Sequence, residues 1–319
     1  MGSITNNKRL VSGIKPTGDL HIGNYFGAMK QFLDFQDKYQ SFIFIPDYHA
    51  LTTAYDPTGL RENIYKITAG YLAIGLDPKK VTFYKQSDIL EHTELSWIFN
   101  SITTMPYLMR AHAFKDAEAK NKEISVGTFD YPMLMAADIL MYDPQVVPVG
   151  KDQKQHIEIT RDTAEKFNRL FGETFTLPEP MILEEVATVL GTDGQKMSKS
   201  YKNTIPLFGT KEEISKAVMS IVTDSEGSSP KNVYAIHKLL RSEEELTSLY
   251  KSKEGNYKEL KEVLIEDLEK MISPIREKYN LLLEDKTEII KVLESGAKVA
   301  REIAQKKMKE VRKKIGVTL

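Results

Sequence analysis

The chain contains no cysteine. That absence removes disulfides, thiolate-ligated zinc and thiol nucleophiles together, and it fits a reducing, cytoplasmic setting. No apolar run approaches the roughly 20 residues of a membrane-spanning helix, so no membrane partner is expected. The opening stretch, MGSITNNKRL, lacks the apolar centre of a signal peptide and reads as a polar lead-in. Net charge is absent too: 44 Lys and Arg stand against 45 Asp and Glu. A global basic field of the kind that marks many nucleic-acid binders is therefore excluded, and any contact with phosphates has to be made by patches. Internal repeats and low-complexity segments are also missing. What is present is 319 residues, 41% hydrophobic and 28% charged. That is the composition of a globular protein large enough to bury a core, with room for about two domains.

Short apolar runs alternate with helical patterns in the first half. RLVSG (9–13), FIFIP (42–46), VTFYK (81–85), VVPVG (146–150) and PMILEE (180–185) read as buried strands, closed by glycine, proline or charge. Between them lie helix-length segments. GNYFGAMKQFLDFQDKY carries a stripe of Tyr25, Phe26, Met29, Phe32, Leu33 and Phe35, and PTGLRENIYKITAGYLAIGL has Pro57 near its start. This alternation predicts an α/β fold, a Rossmann-like parallel-sheet catalytic domain over residues 1–205. In such sheets ligands bind beyond the carboxyl ends of the strands, so the loops there are the place to look for chemistry.

From about Lys211 the strand signal ends and every pattern is helical. An all-helical domain is predicted over 206–295, followed by a basic terminal helix, 296–319, packing back toward the catalytic domain. In that helix Ala300, Ala304, Met308, Val311 and Ile315 share one face. Lys298, Arg301, Lys306, Lys307, Lys309, Arg312, Lys313 and Lys314 face only Glu302 and Glu310 as opposing charge. A solvated helix face and a phosphate-contacting one both fit this run.

Neither G-x-G-x-x-G nor a Walker P-loop occurs. Two other stretches are built for anions. SGIKPTGDLHIGNYFGAMK leaves the first strand with Gly13, Gly18, Gly23 and Gly27, which lets backbone approach a ligand at a helix N-terminus. GTDGQKMSKS has no apolar face to bury, yet carries Lys196, Ser198, Lys199 and Ser200 within five positions. Taken alone, the first is also an ordinary strand–glycine–helix turn with His21 as its cap.

Together, His21-Ile22-Gly23-Asn24 and Lys196 to Ser200 resemble the HIGH and KMSKS pair of class I aminoacyl-tRNA synthetases. PDYHALTT (46–53), YPMLMAADILMYD (131–143), PVGKDQKQHIEITRDTAEKFN (148–168) and VTDSEG (222–227) resemble consecutive blocks of bacterial tryptophanyl-tRNA synthetases, in family order over nearly all of 9–319. The resemblance implies ATP-dependent activation of L-tryptophan to the adenylate with release of pyrophosphate, then transfer to tRNA(Trp). It implies ATP with Mg²⁺ carried on its phosphates, no protein-held metal, and a homodimer whose helical domain meets the anticodon.

Carried over residue by residue, it makes His21, Asn24, Lys196, Ser198 and Lys199 the catalytic set. ATP falls to Lys15, Thr17, Gly23, Asn24, Gly150, Asp152, Lys196, Met197, Ser198 and Lys199. Tryptophan falls to Gly13, His49, Tyr131, Met135, Asp138 and Gln153. Asp138 matches the carboxylate that accepts the indole N–H, and Met135, one turn earlier, matches the side chain on the ring. An acceptor buried beside a large apolar surface rejects rings that cannot donate there. Arg110 and Lys115 are further candidates for ATP contact. Lys15 stands where other members carry Gln, and Val11 replaces an aromatic found in some. Three rivals stay open: a tyrosyl-tRNA synthetase of the same fold, another nucleotidyltransferase using an HxGH-type turn, and a tryptophan-binding sensor without aminoacylation. The intact His21, Asn24, Lys196 and Lys199 weigh against the sensor, which needs no grip on pyrophosphate.

Overall fold

The computed structural model describes residues 8–16, 18–52, 56–119, 123–150, 153–182, 189–223 and 230–319. Five strands, β1 (Arg9–Gly13), β2 (Gln40–Ile45), β3 (Val81–Lys85), β4 (Val146–Val149) and β5 (Glu179–Ile182), form one sheet in the order β3-β2-β1-β4-β5. All pairings are parallel. The five apolar runs read from the sequence are these five strands, within two residues at each start. A parallel sheet covered on both faces needs apolar side chains on both, which is why the runs are continuous rather than alternating.

The two faces are visible in β2. Ile43 and Ile45 point into one core, Phe42 and Phe44 into the other. On the first face lie α1 (Ile22–Asn24), a wide π-turn (Tyr25–Met29), α2 (Lys30–Phe35) and α4 (Pro57–Ile74). The π-turn is a departure from the single helix expected there. One inserted residue barely disturbs a 3.6-residue period, so periodicity carries no signal for it. A short α3 (Asp47–Ala50) follows β2. On the second face lie α5 (Glu91–Ile102), α6 (Met105–Leu108), α7 (His112–Ala119), α8 (Val126–Leu140) and α9 (Lys154–Phe171).

Residues from Lys211 onward are helical wherever they form regular elements: α10 (Lys211–Met219), α11 (Lys231–His237), α12 (Glu243–Ser252), α13 (Tyr257–Glu284) and α14 (Thr287–Lys314). The first core continues without a break from the sheet into α10, α11 and α13, through Ile214, Val218, Val233, Leu264 and Leu268. Lys278 of α13 donates to the Leu72 carbonyl at 2.7 Å, and Phe208 stacks on Tyr279. Helix α14 returns to the second face, burying Ala300, Ala304, Met308 and Val311 there. Among the described residues no helix is long and apolar enough to cross a membrane.

The chain runs β1, β2, β3 outward to one edge and then re-enters on the other side of β1 as β4. The reversal between β1 and β4 is the switch point where such sheets bind ligands. The loops leaving β1 and β4 are the ones that carry Gly13 to Asn24 and Gly150 to Gln153.

Candidate active site

His21 precedes α1 in extended conformation, and its N–H donates to Asn24 Oδ1 at 3.1 Å. The turn is fixed from outside as well. Ile22 N–H donates to the Ile205 carbonyl and Leu207 N–H to the Leu20 carbonyl, while His21 bridges to Pro206. Residues directly after the KMSKS stretch thus hold the HIGN turn. The stretch itself is anchored at its centre, since Met197 is buried in the first core and its N–H donates to the Val189 carbonyl. Asn203 is the second anchor. Its Oδ1 accepts from Ser198 N–H at 2.8 Å, and its Nδ2 donates to Asp193 Oδ1 at 2.7 Å and to the Lys196 carbonyl at 3.1 Å.

These anchors bring the two motifs face to face. A Cβ built on Gly23 would lie 3.2 Å from Met197 Sδ and 2.8 Å from His21 Nδ1, so a side chain there would push the His21 ring out of place. One built on Gly18 would lie 3.4 Å from Lys199 Nζ. Lys199 is exposed as a residue, yet its ammonium end reaches back against the β1 loop. Partial burial lowers its pKa, with Lys66 adding to the effect and Asp19 opposing it. His21 is brought down to about 4, first by burial and then by the Lys199 charge. It is neutral near pH 7, and its buried Nδ1 has no hydrogen-bond partner among the described residues. Lys196 is exposed, and the Ser198 and Ser200 hydroxyls meet at 2.8 Å. Lys15 is exposed on the β1 loop, as are Arg110 and Lys115 on the far side of the sheet.

Asp138 lies in the last turn of α8 with no exposed surface. Its Oδ2 accepts from His49 Nε2 at 2.8 Å, its Oδ1 from His92 Nδ1, and Gln86 Nε2 reaches both oxygens at 2.7 and 2.9 Å. Burial raises its pKa, but the hydrogen bonds and charges of His49 and His92 outweigh that and hold it at about 2. An ionised carboxylate only accepts, so both imidazole nitrogens carry their protons toward it. The Gln86 amide is oriented by its other end, where Oε1 accepts from the Tyr48 N–H at 3.1 Å. His92 Nε2 lies 2.8 Å from the Tyr142 hydroxyl.

Met135, one turn before Asp138, is half-buried against the cluster of Ile139, Val147, Val149 and Ile157. The Tyr131 hydroxyl meets His156 Nε2 at the start of α9, and its ring meets the His49 ring edge to face. Gly13 ends β1 against the Phe44 ring, and Gln153 N–H donates to the Gly150 carbonyl at 3.0 Å. Thr17 and Asp152 lie outside the described residues.

The structure thus brings His21, Gly23, Met197 and Lys199 into one cluster, and His49, Tyr131 and Asp138 into another. Met197 enters the first as a core side chain, with its N–H bonded to the Val189 carbonyl. Gln86, His92 and Tyr142 were not singled out by sequence reasoning. Gln86 is the first residue past a strand exit, a position that makes polar residues worth attention, but His92 and Tyr142 are joined to Asp138 only by the fold. Among the described residues no three His, Asp or Glu side chains cluster as a metal would require. A cavity of about 730 Å³ lies between α4 and α14, lined also by Leu51 just after α3 and by Lys85 and Asp88 on either side of Gln86, and includes none of the side chains of the two clusters.

Comparison with known proteins fits the switch-point geometry. The family of class I tRNA synthetases (W and Y) matches residues 4–288, most of the chain, and the chain belongs to that family. It is 49% identical to the tryptophan–tRNA ligase of Fusobacterium nucleatum, over 97% of this chain and 98% of the relative. The crystal structure of tryptophanyl-tRNA synthetase from Campylobacter jejuni complexed with ADP and tryptophan superposes with a TM-score of 0.91 at 47% identity, covering 97% of this chain and 99% of that one. The enzyme from Mycoplasma pneumoniae superposes with a TM-score of 0.79 at 30% identity, covering 97% and 98%.

Proposed function

We infer that this chain is a tryptophan–tRNA ligase. It joins the carboxylate of L-tryptophan to the α-phosphorus of ATP, releasing pyrophosphate, and passes the acyl group to the 3′-terminal ribose of tRNA(Trp), releasing AMP. The observation that carries the reading is the match over nearly the full length of both chains to a protein crystallised with ADP and tryptophan.

In the first step two anions have to be brought together while negative charge grows on the leaving pyrophosphate. A protein contributes positioning and preorganised donors to such a step. Here the glycine-lined HIGN turn accepts the triphosphate from the β1 side, and Lys196 and Lys199 close on it from the other. A neutral His21 donates a hydrogen bond there without adding a charge that would hold the product. Gly150 at the β4 exit lies where the ribose is expected, with Asp152 beside it in sequence. Mg²⁺ rides on the phosphate oxygens as part of the substrate. Met135 and the Asp138 carboxylate take the indole, and Tyr131 and Gln153 take the amino-acid backbone.

The helical segment from α10 to α13 meets the anticodon, and the tRNA partner sets the cytoplasm as the place of work. The enzyme acts as a homodimer. Leu90, Trp97, Met105 and Val126, on or beside α5, α6 and α8, are all more than 60% exposed, and a second copy seated there would cover them. The test is charging of purified tRNA(Trp) with labelled tryptophan. Acid-precipitable label that depends on both ATP and tRNA is expected. Tryptophan binding with no charging would contradict the reading.

A further inference from the structure

The donors on Asp138 leave it no room. A carboxylate offers about four acceptor positions. Gln86 bridges both oxygens, His92 occupies Oδ1 and His49 occupies Oδ2, and the residue has no exposed surface. If Asp138 is the indole acceptor, one of these donors has to leave when tryptophan arrives. They are not equally free to do so. His92 is fully buried and held at its other nitrogen by Tyr142. Gln86 is fully buried and held at its other end by the Tyr48 N–H. The His49 side chain is 14% exposed, sits on the four-residue α3, and is fixed at the ring by its bond to Asp138.

We propose that His49 is a stand-in for the substrate: its Nε2–H holds the indole position on Asp138 in the empty enzyme and is exchanged for the indole N–H on binding. This rests on the reading of Asp138 as the indole acceptor. The exchange makes His49 a residue that sets affinity, while the demand for a donor on the ring is made by the Asp138 carboxylate. For tryptophan one donor leaves and one arrives, so the count of hydrogen bonds on the buried carboxylate is unchanged. A ring without a donor would displace His49 and leave an ionised, buried carboxylate one partner short, which is costly. The stand-in also keeps Asp138 ionised and satisfied before substrate arrives, with Gln86, His92 and Tyr142 as the fixed part of the network.

The experiment uses the full-length protein labelled with ¹⁵N in histidine. Long-range ¹H–¹⁵N spectra report each imidazole, and His49 is assigned by the signal lost in His49→Gln. Saturating tryptophan should shift the His49 Nε2 resonance, while 3-(1-benzothiophen-3-yl)alanine, which has sulfur in place of the ring N–H, should bind weakly. In His49→Ala the competitor is gone, so tryptophan should bind about 3- to 10-fold more tightly, the effect of one hydrogen bond, and the sulfur analogue, which no longer has a donor to displace, should tighten by the same factor. An unmoved His49 signal at saturating tryptophan would overturn the proposal. So would an alanine variant that loses affinity for both ligands alike, which would make His49 part of the pocket wall. If that variant fails to fold, the spectra of the unsubstituted protein decide. Pyrophosphate exchange is run beside them. Exchange with an unmoved His49 refutes the stand-in alone, whereas no exchange and no tryptophan binding refutes the functional reading beneath it.

Discussion

The charge of Lys199 bears on the ionisation of His21. The Lys199 ammonium reaches the β1 loop and helps keep His21 uncharged, although burial does most of that work. Lys199 shares no described contact with the Asp138 network, so the two halves of the site separate by substitution. Lys199→Ala should slow adenylate formation by about 10²- to 10³-fold, as loss of one transition-state donor does. It should change the Kd for tryptophan by less than about 2-fold, as checked by single-turnover kinetics beside equilibrium binding. Equal loss in both would remove the pyrophosphate role. His21 gives a second prediction. Its folded pKa, about 4, lies below the ordinary 6.5, so its contribution to stability is complete above that value and is lost as pH falls through 4. Urea unfolding of the wild type and His21→Gln at pH 7 and pH 4.5 should show the wild type losing more stability on acidification. Parallel losses would contradict the burial argument. The sequence made His21, Lys199 and Asp138 legible as motif residues. It could not show that Asp138 is already saturated, because its donors come from α3, the exit of β3 and the start of α5.

At the scale of elements, the strands were legible because their apolar runs end at glycine, proline or charge, and a buried parallel strand has little else to show. The packing of α14 was legible only in part. Its apolar face followed from residue spacing, but its basic residues are not all solvated. Lys307 donates to the Thr174 carbonyl at 2.8 Å and pairs with Asp143, Arg301 donates to the Asp88 carbonyl, and Arg312 pairs with Glu94. Lys298, Lys306, Lys309, Lys313 and Lys314 remain exposed. Helix α14 approaches β3 tightly at Gly296, where an added Cβ would fall 1.9 Å from the Phe83 carbonyl oxygen. Backbone cannot yield as a side-chain end can. Gly296→Ala should therefore force α14 off β3 and cost about 3 kcal/mol, read as a lowered urea midpoint. A change below about 0.5 kcal/mol would mean the helix shifts freely.

Across the whole molecule, one apolar core joins the sheet to α10, α11 and α13, so the helical half is packed onto the catalytic half rather than strung beside it. His21 and Gly23 sit on the loop leaving β1 and Lys199 on the segment after β5, while Asp138 and Tyr131 sit on α8, which leads into β4, and His49 on α3 after β2. That placement follows from strand order, which no local pattern in the sequence records. It puts the His21–Lys199 cluster and the Asp138 network on one scaffold, as the proposed roles in gripping pyrophosphate and accepting the indole N–H require. The measurement that tests this account most directly is exchange of labelled pyrophosphate into ATP, run with each of the twenty amino acids in turn. Exchange that depends on tryptophan alone is the predicted result. Exchange with tyrosine would contradict the assignment of Asp138 to indole, and tryptophan binding without any exchange would contradict the assignment of the lysine loop to pyrophosphate.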